Sequence, residues 1–224
     1  MAKLSELMTC IAEASGIPES DIRQIGRRAR EAGYIAQGAR GTSAPDMGVA
    51  DAANLLIAIL ASEFAKDAPI AIERYGVLRN SYVNDFSKVF GDGDGYYRKY
   101  IPVCPEIIKW VKSNHTFRDA VERLISDASK GEFNDLSDFM SVKDTEEKIS
   151  NDIANYKYGN IDFNIVVYSN FHRASIVFFD QNARNFGIGH SSYGQLFADD
   201  GFAFYSAKAI NKEVIATIGK LLVS

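Results

Sequence analysis

Residues 4–45 read LSELMTCIAEASGIPESDIRQIGRRAREAGYIAQGARGTSAP. Leu4, Leu7, Met8, Ile11 and Ala14 recur at helical spacing and predict a first helix over residues 4–15. Gly16 ends it as a C-terminal glycine does. Ile17-Pro18-Glu19-Ser20 is the turn, with Pro18 at the entry to a second helix. That helix runs to about Ala32, with Ile22, Ile25 and Ala29 inward, and Gly33 closes it. Arg23, Arg27 and Arg30 repeat at the spacing of one exposed face, and Gln24 and Arg28 lie beside them. Residues 22–45 hold five arginines and a single acid, Glu31, in a chain whose net charge is -4. The plain meaning of such a face is a solvated helix surface. What argues against it is a sign opposite to that of the whole chain.

Two helices joined by a short glycine-containing turn have helix-turn-helix geometry, although any helical hairpin shares it. Beyond Gly33, Tyr34 and Ile35 suit a short strand, and QGARGT suits a loop tip around Arg40. The segment resembles the winged helix-turn-helix domains of bacterial and phage regulators. The resemblance is carried by Ile22, Ile25, Arg28, Ala29, Arg30, Glu31, Ala32, Gly33, Tyr34 and Ile35, and covers only the N-terminal part of the chain. The N-terminal sequence as far as DAANLLIAIL is also similar to uncharacterised prophage-encoded regulators, which supply a context without an activity.

The resemblance implies that the second helix enters the major groove of double-stranded DNA. Ser20, Arg23, Gln24 and Arg27 are then the candidates for base edges, since arginine clasps guanine and glutamine clasps adenine through paired hydrogen bonds. Arg28 would reach phosphate. Arg30 and Arg40 would touch phosphate or the minor groove, and Thr42 joins Arg40 on the wing loop. Loss of Arg40 would then weaken all DNA binding alike, whereas loss of Gln24 or Arg23 would cost roughly 1–3 kcal/mol and relax preference at one base position. The implied protein is a sequence-specific DNA-binding regulator of phage or prophage type, acting as a homodimer on two half-sites. Two alternatives stand beside it. One is a phage DNA-packaging or replication protein that marks a site with the same module. The other is a protein–protein interaction module without DNA binding.

The 224 residues are 46% hydrophobic and 24% charged, which suits one large globular domain or two small ones. The net acidity disfavours a protein coated in basic surface but allows one basic face. Cys10 and Cys104 lack metal-ligand spacing and suit a reducing compartment. The start MAKLSELMT lacks the apolar core of a signal peptide, and the apolar run at residues 55–60 is too short to span a bilayer. A cytoplasmic protein is expected.

Further along, Asp46 is placed to cap a helix running through GVADAANLLIAILASEFAKDA. Its broad apolar face (Ala52, Leu55, Leu56, Ile59, Leu60, Phe64) means either a core helix or one packed on its symmetry mate. Pro69 breaks it, and residues 70–90 read as one or two more helical pieces. GDGDGYYRKYIP is a turn, because tyrosines and an arginine stand where calcium ligands would be needed. Residues 104–129 read as two helices, the second opened by the capping pair Thr116 and Asp119 and closed by Gly131. Its stripe is Phe117, Ala120, Val121, Leu124 and Ile125. Residues 132–160 are polar, with a short helix near 146–153. From Ile161 the period changes: IDFNIVVYS and ASIVFFD predict a hairpin, and NFGIGH and FAFYSA two further strands. The edge at residues 161–167 is either exposed, and then open to pairing across a two-fold axis, or covered. NKEVIATIGKLL returns to helix, capped by Asn211. The fold class expected is α+β: an N-terminal winged helix-turn-helix region with its following helix (1–66), a helical middle (67–131), and a C-terminal antiparallel sheet with a packed helix (132–224).

No catalytic chemistry is expected. None of His115, His172 and His190 has metal-ligand spacing, and His115 and His172 read as structural or solvated. GIGHSSYGQ fails the nucleophile-elbow pattern, because Tyr193 follows Ser191 where a glycine is needed and His190 precedes Ser192 where another is needed. No phosphate-binding glycine motif precedes a helix. The protein is read as a non-enzyme without metal or cofactor. The C-terminal aromatics are more simply core than a ligand site, so a small-molecule effector is left open.

Overall fold

Residues 52–60 (AANLLIAIL) contain one polar side chain, Asn54, so a helix formed from them has no side to turn to water. In the computed structural model, helix α3 (Val49–Ala61) buries every one of those nine residues. The structure describes residues 2–38, 43–83, 109–110, 113–133, 161–168, 172–180, 187–194 and 207–224. Helices α1 (Leu4–Ser15), α2 (Glu19–Glu31) and α4 (Ala68–Gly76) precede or follow α3. Strand β1 (Asn80–Val83) and helix α5 (Phe117–Ser129) come next. Then follow strands β2 (Ile161–Tyr168), β3 (Arg173–Asp180), β4 (Gly187–Tyr193) and β5 (Ala207–Asn211), and helix α6 (Lys212–Val223). The architecture is mixed helix and antiparallel sheet, as the change of period predicts.

The sheet order is β1-β4-β3-β2-β5, with every pair antiparallel. Phe163, Ile165 and Val167 on β2, Ala174, Ile176 and Phe178 on β3, Tyr193 on β4 and Ile210 on β5 are buried. Their two-residue alternation sends one face of the sheet into the core. The helices cover that face: α3 touches β2 and β5 on one side and α2 and α4 on others, while α6 packs on α1, α5 and β2. One continuous core, from Leu7 to Ile218, draws on all three of the segments expected from the sequence. No described helix is long and apolar enough to cross a membrane.

Several caps follow the sequence. Gly16 takes a left-handed φ of 72° after α1. Thr116 Oγ1 accepts the Asp119 amide at 3.2 Å, and Asp119 Oδ2 accepts the Thr116 amide at 2.8 Å. Asn211 Oδ1 accepts the Val214 amide at the start of α6.

Other expectations are corrected. Asp46 does not cap α3. It pairs with Lys3 at 2.8 Å, while Asp51 accepts the Gly48 amide at 2.9 Å. The helix ends at Ala61, before Phe64, and Pro69 lies in the first turn of α4 rather than breaking a longer helix. Asn80–Val83 is a strand because β4 supplies a hydrogen-bonding partner, which the local sequence does not announce. Strand β2 is no edge, since β3 and β5 flank it. Residues 52–60 of α3 are buried against the described chain, so the apolar face expected to meet a symmetry mate is already covered. The expected short helix at 146–153, the GDGDG turn, Cys104 and the FAFYSA strand up to residue 206 lie outside the described residues.

His115 is the structural histidine of the fold. It is buried, with Nε2 2.8 Å from the Tyr193 hydroxyl, Nδ1 2.8 Å from the Ser113 carbonyl oxygen, and its ring stacked on Trp110. Burial holds its pKa below the ordinary histidine value, although the Ser113 carbonyl and Asp119 pull the other way. A base whose folded pKa lies below its unfolded pKa contributes stability that is complete above the unfolded value, about 6.5. That contribution is lost as pH falls through that value toward the folded one. The melting temperature should therefore drop between about pH 7.5 and pH 5, and His115→Phe, which keeps a stacked ring, should flatten that part of the profile. Equal slopes in the two proteins would reject the assignment.

Candidate nucleic-acid interface

Helix α2 is held from behind. Ile22, Ile25, Gly26 and Ala29 are buried, and Gly26 faces α1 and α3 so closely that a Cβ there would lie 2.7 Å from Met8 Sδ and 3.4 Å from Leu55 Cδ1. The buried stripe fixes the helix's rotation, and so fixes which residues face water. Ser20, Arg23, Gln24, Arg27, Arg28 and Arg30 are all exposed. At 3.6 residues per turn, Ser20, Gln24, Arg27 and Glu31 fall within about 60° of one another. Arg23 and Arg30 flank that stripe on one side and Arg28 on the other. Arg40 and Thr42 lie outside the described residues.

The segment after α2 differs from the expected wing strand. Residues 34–38 form no strand. Ile35 is buried, the Tyr34 carbonyl accepts from Asn54 Nδ2 at 2.8 Å, and the Ala36 amide donates to Asp51 Oδ1 at 2.8 Å. Tyr34 and Ile35 have the residue types of a strand. Two polar groups on α3 take the Tyr34 carbonyl and the Ala36 amide instead, and the segment is strapped to the core. Gln37 reaches back to the Arg30 carbonyl at 2.6 Å and satisfies one C-terminal acceptor of α2.

The charge on α2 is more balanced than the arginines suggest. Glu19, Asp21 and Glu31 stand against four arginines on the helix. Arg23 pairs with Glu19 through two nitrogens, Nε at 2.7 Å. Arg27 Nε pairs with Glu31 Oε1 at 2.7 Å, and Arg28 Nη1 with Glu31 Oε2 at 3.1 Å. Glu19 also accepts from the Thr9 hydroxyl of α1 at 2.8 Å. These bonds hold both glutamates below the ordinary carboxylate pKa: for Glu19 the Thr9 hydroxyl contributes most, then Arg23, and for Glu31 the Arg27 hydrogen bond contributes most. Arg30 has no ion pair among the described residues. The glutamates are the residues missed in a reading that counted arginines. The signal was present in the four-residue spacings Glu19–Arg23 and Arg27–Glu31.

Exposed pairs of this kind are easily exchanged, because water screens them and two long side chains lose freedom in making them. A polyanion laid along the face offers the same arginines several phosphates at once. The guanidinium groups can therefore leave Glu19 and Glu31 for phosphate or for a guanine edge. Among the described residues no group of three histidine, cysteine or acidic side chains is arranged to hold a metal ion. No family model, curated protein or solved structure matches the chain.

Proposed function

We propose that the protein binds double-stranded DNA in a sequence-specific manner through the outer face of α2. The regulator it suggests is of phage or prophage type and acts as a dimer. The observation that supports this most is the exposed arc of Ser20, Arg23, Gln24, Arg27, Arg28 and Arg30 on a helix whose opposite side is locked against α1 and α3. Arginine and glutamine are the side chains suited to bidentate reading of guanine and adenine, and a rigid backing keeps them in register. Arg40 and Thr42 belong to the same reading as contacts of the loop that follows. Dimerisation would place two such helices about one DNA turn apart. Among the described residues, the surfaces open to it include the outer strands β1 and β5 and the exposed Phe64, Ile70, Val77 and Val223.

Selection of bound sequences from a random DNA pool, followed by titration of the selected site at several salt concentrations, tests the reading. An enriched two-fold symmetric site and a steep fall of affinity with salt are expected. An enriched site bound by a ring-sized oligomer would favour the packaging or replication alternative. Absence of enrichment and of binding at low salt would reject DNA binding and leave protein–protein interaction.

A further inference from the structure

Thr9 of α1 ties the outer face of α2 to a second helix. Its hydroxyl donates to Glu19 Oε1 at 2.8 Å, across the turn between the two helices. The single hydroxyl hydrogen has one alternative, the uncharged Ser5 carbonyl of its own helix, which is farther away at 3.1 Å. The same Glu19 oxygen accepts from Arg23 Nε at 2.7 Å and pairs with Arg23 Nη2. Glu31, by contrast, receives Arg27 and Arg28 from within α2. Among the described residues, Glu19 is the acid of α2 whose carboxylate is anchored on another helix. Both helices are fixed frames, α1 by the buried Leu7, Met8 and Ile11, α2 by Ile22, Ile25 and Ala29.

This arrangement leaves one edge of Arg23 open. A guanidinium carries five N–H groups in a planar fork. The Nε–H and one Nη2–H face Glu19. The edge formed by Nη1 and the second Nη2–H has no partner among the described residues. Two parallel N–H groups of this kind are what bond guanine O6 and N7. Arg23 can therefore read a guanine without giving up Glu19. An Arg23 without that tether is free to swing to the nearest phosphate, a contact that carries no sequence information. A long side chain held in place beforehand also loses less freedom on binding.

We propose that Thr9 is a positioning residue for base recognition: through Glu19 it holds Arg23 with its two terminal nitrogens free for a guanine edge. This rests on the proposed DNA-binding role of α2. The Glu19 carboxyl is held below the ordinary range first by the Thr9 hydroxyl and then by Arg23, so it stays charged and keeps the tether at neutral pH. Glu19 thereby limits general affinity for phosphate while sharpening the choice of base.

The test compares the full chain with Thr9→Val, which keeps the shape and removes the hydroxyl, and Thr9→Ser, which keeps a hydroxyl. Without DNA, the Glu19 carboxyl is titrated by NMR. Its pKa should rise toward the ordinary value in Thr9→Val and stay low in Thr9→Ser. An unchanged Glu19 titration in Thr9→Val rejects the tether whether or not DNA binds. Binding to a selected DNA site and to its single-base-pair variants is then measured at fixed salt. Arg23→Ala identifies the position that Arg23 reads, where the parent should prefer guanine by about tenfold or more. Thr9→Val should cut that preference by about threefold or more and leave the other positions and the circular dichroism spectrum unchanged, and Thr9→Ser should recover it. An equal loss at every position would mark a merely structural role and overturn the proposal. So would a guanine preference untouched by Thr9→Val, or no relaxed position in Arg23→Ala. In these cases the parent still binds its site, and the DNA interface survives. A parent that binds no DNA overturns the interface and this role of Thr9 together.

Discussion

Gly219→Leu should abolish cooperative folding, and Gly219→Ala should already lower the unfolding free energy by about 2 kcal/mol. Helix α6 crosses α5 at this glycine. A Cβ built there would lie 2.5 Å from the Ala128 Cβ and 2.6 Å from both the Ala128 carbonyl carbon and the Ser129 nitrogen. Two of those three atoms are backbone, so no rotamer change relieves the clash and the helices must move apart. Ala128 is buried, and Phe117, Ala120, Val121, Leu124 and Ile125 of α5 pack in the same core as Val214, Ile215 and Ile218 of α6. Separation would open that seam along its length. Alanine is better than glycine in a helix interior by about 1 kcal/mol, which offsets part of the cost and makes a net loss the informative sign. Urea unfolding followed by circular dichroism gives the difference directly. Ala128→Gly in the same chain should restore only part of the loss, since the backbone contacts remain. A Gly219→Ala protein as stable as the parent would show that the two helices do not approach so closely.

That crossing was only half visible in the sequence. The stripes of α5 and α6 follow from apolar spacing, and their caps from Thr116, Asp119 and Asn211, because both signals are local. The glycine's role is not local, since it depends on which residue of another helix lies opposite. The same distinction runs through the fold. The β2–β3 hairpin is legible because its strands adjoin, with the His172 turn between them. The place of β2 at the centre of the sheet is not, because β5 pairs with it from about forty residues later in the chain. Residues 80–83 acquire strand form from β4, and Tyr34 and Ile35 lose it to Asn54 and Asp51. The enclosed character of α3 could be read from its composition, whereas its neighbours could not. At the candidate site, exposure of the six α2 residues followed from the buried stripe. The pairing of Arg23, Arg27 and Arg28 with Glu19 and Glu31 required attention to the acids as well.

Replacing Arg23, Arg27, Arg28 and Arg30 together by glutamine should weaken binding to a selected DNA site by at least about a hundredfold at moderate salt and flatten its salt dependence. All four side chains are exposed, and glutamine is about as good a helix former as arginine, so α2 should persist. The loss of the Arg23–Glu19, Arg27–Glu31 and Arg28–Glu31 pairs removes little stability, since exposed pairs contribute little. An unchanged melting curve would separate lost contact from lost fold. The glutamates supply a second measurement of opposite sign. On the proposed interface Glu19 and Glu31 compete with phosphate for the arginines they hold, and both stay ionised at neutral pH because their hydrogen bonds lower their pKa. Glu19→Gln with Glu31→Gln should therefore tighten DNA binding several-fold and steepen its salt dependence. A solvated helix face predicts neither change. If the arginine variant binds DNA as the parent does, or the glutamate variant fails to tighten it, the outer face of α2 is not the DNA-binding surface.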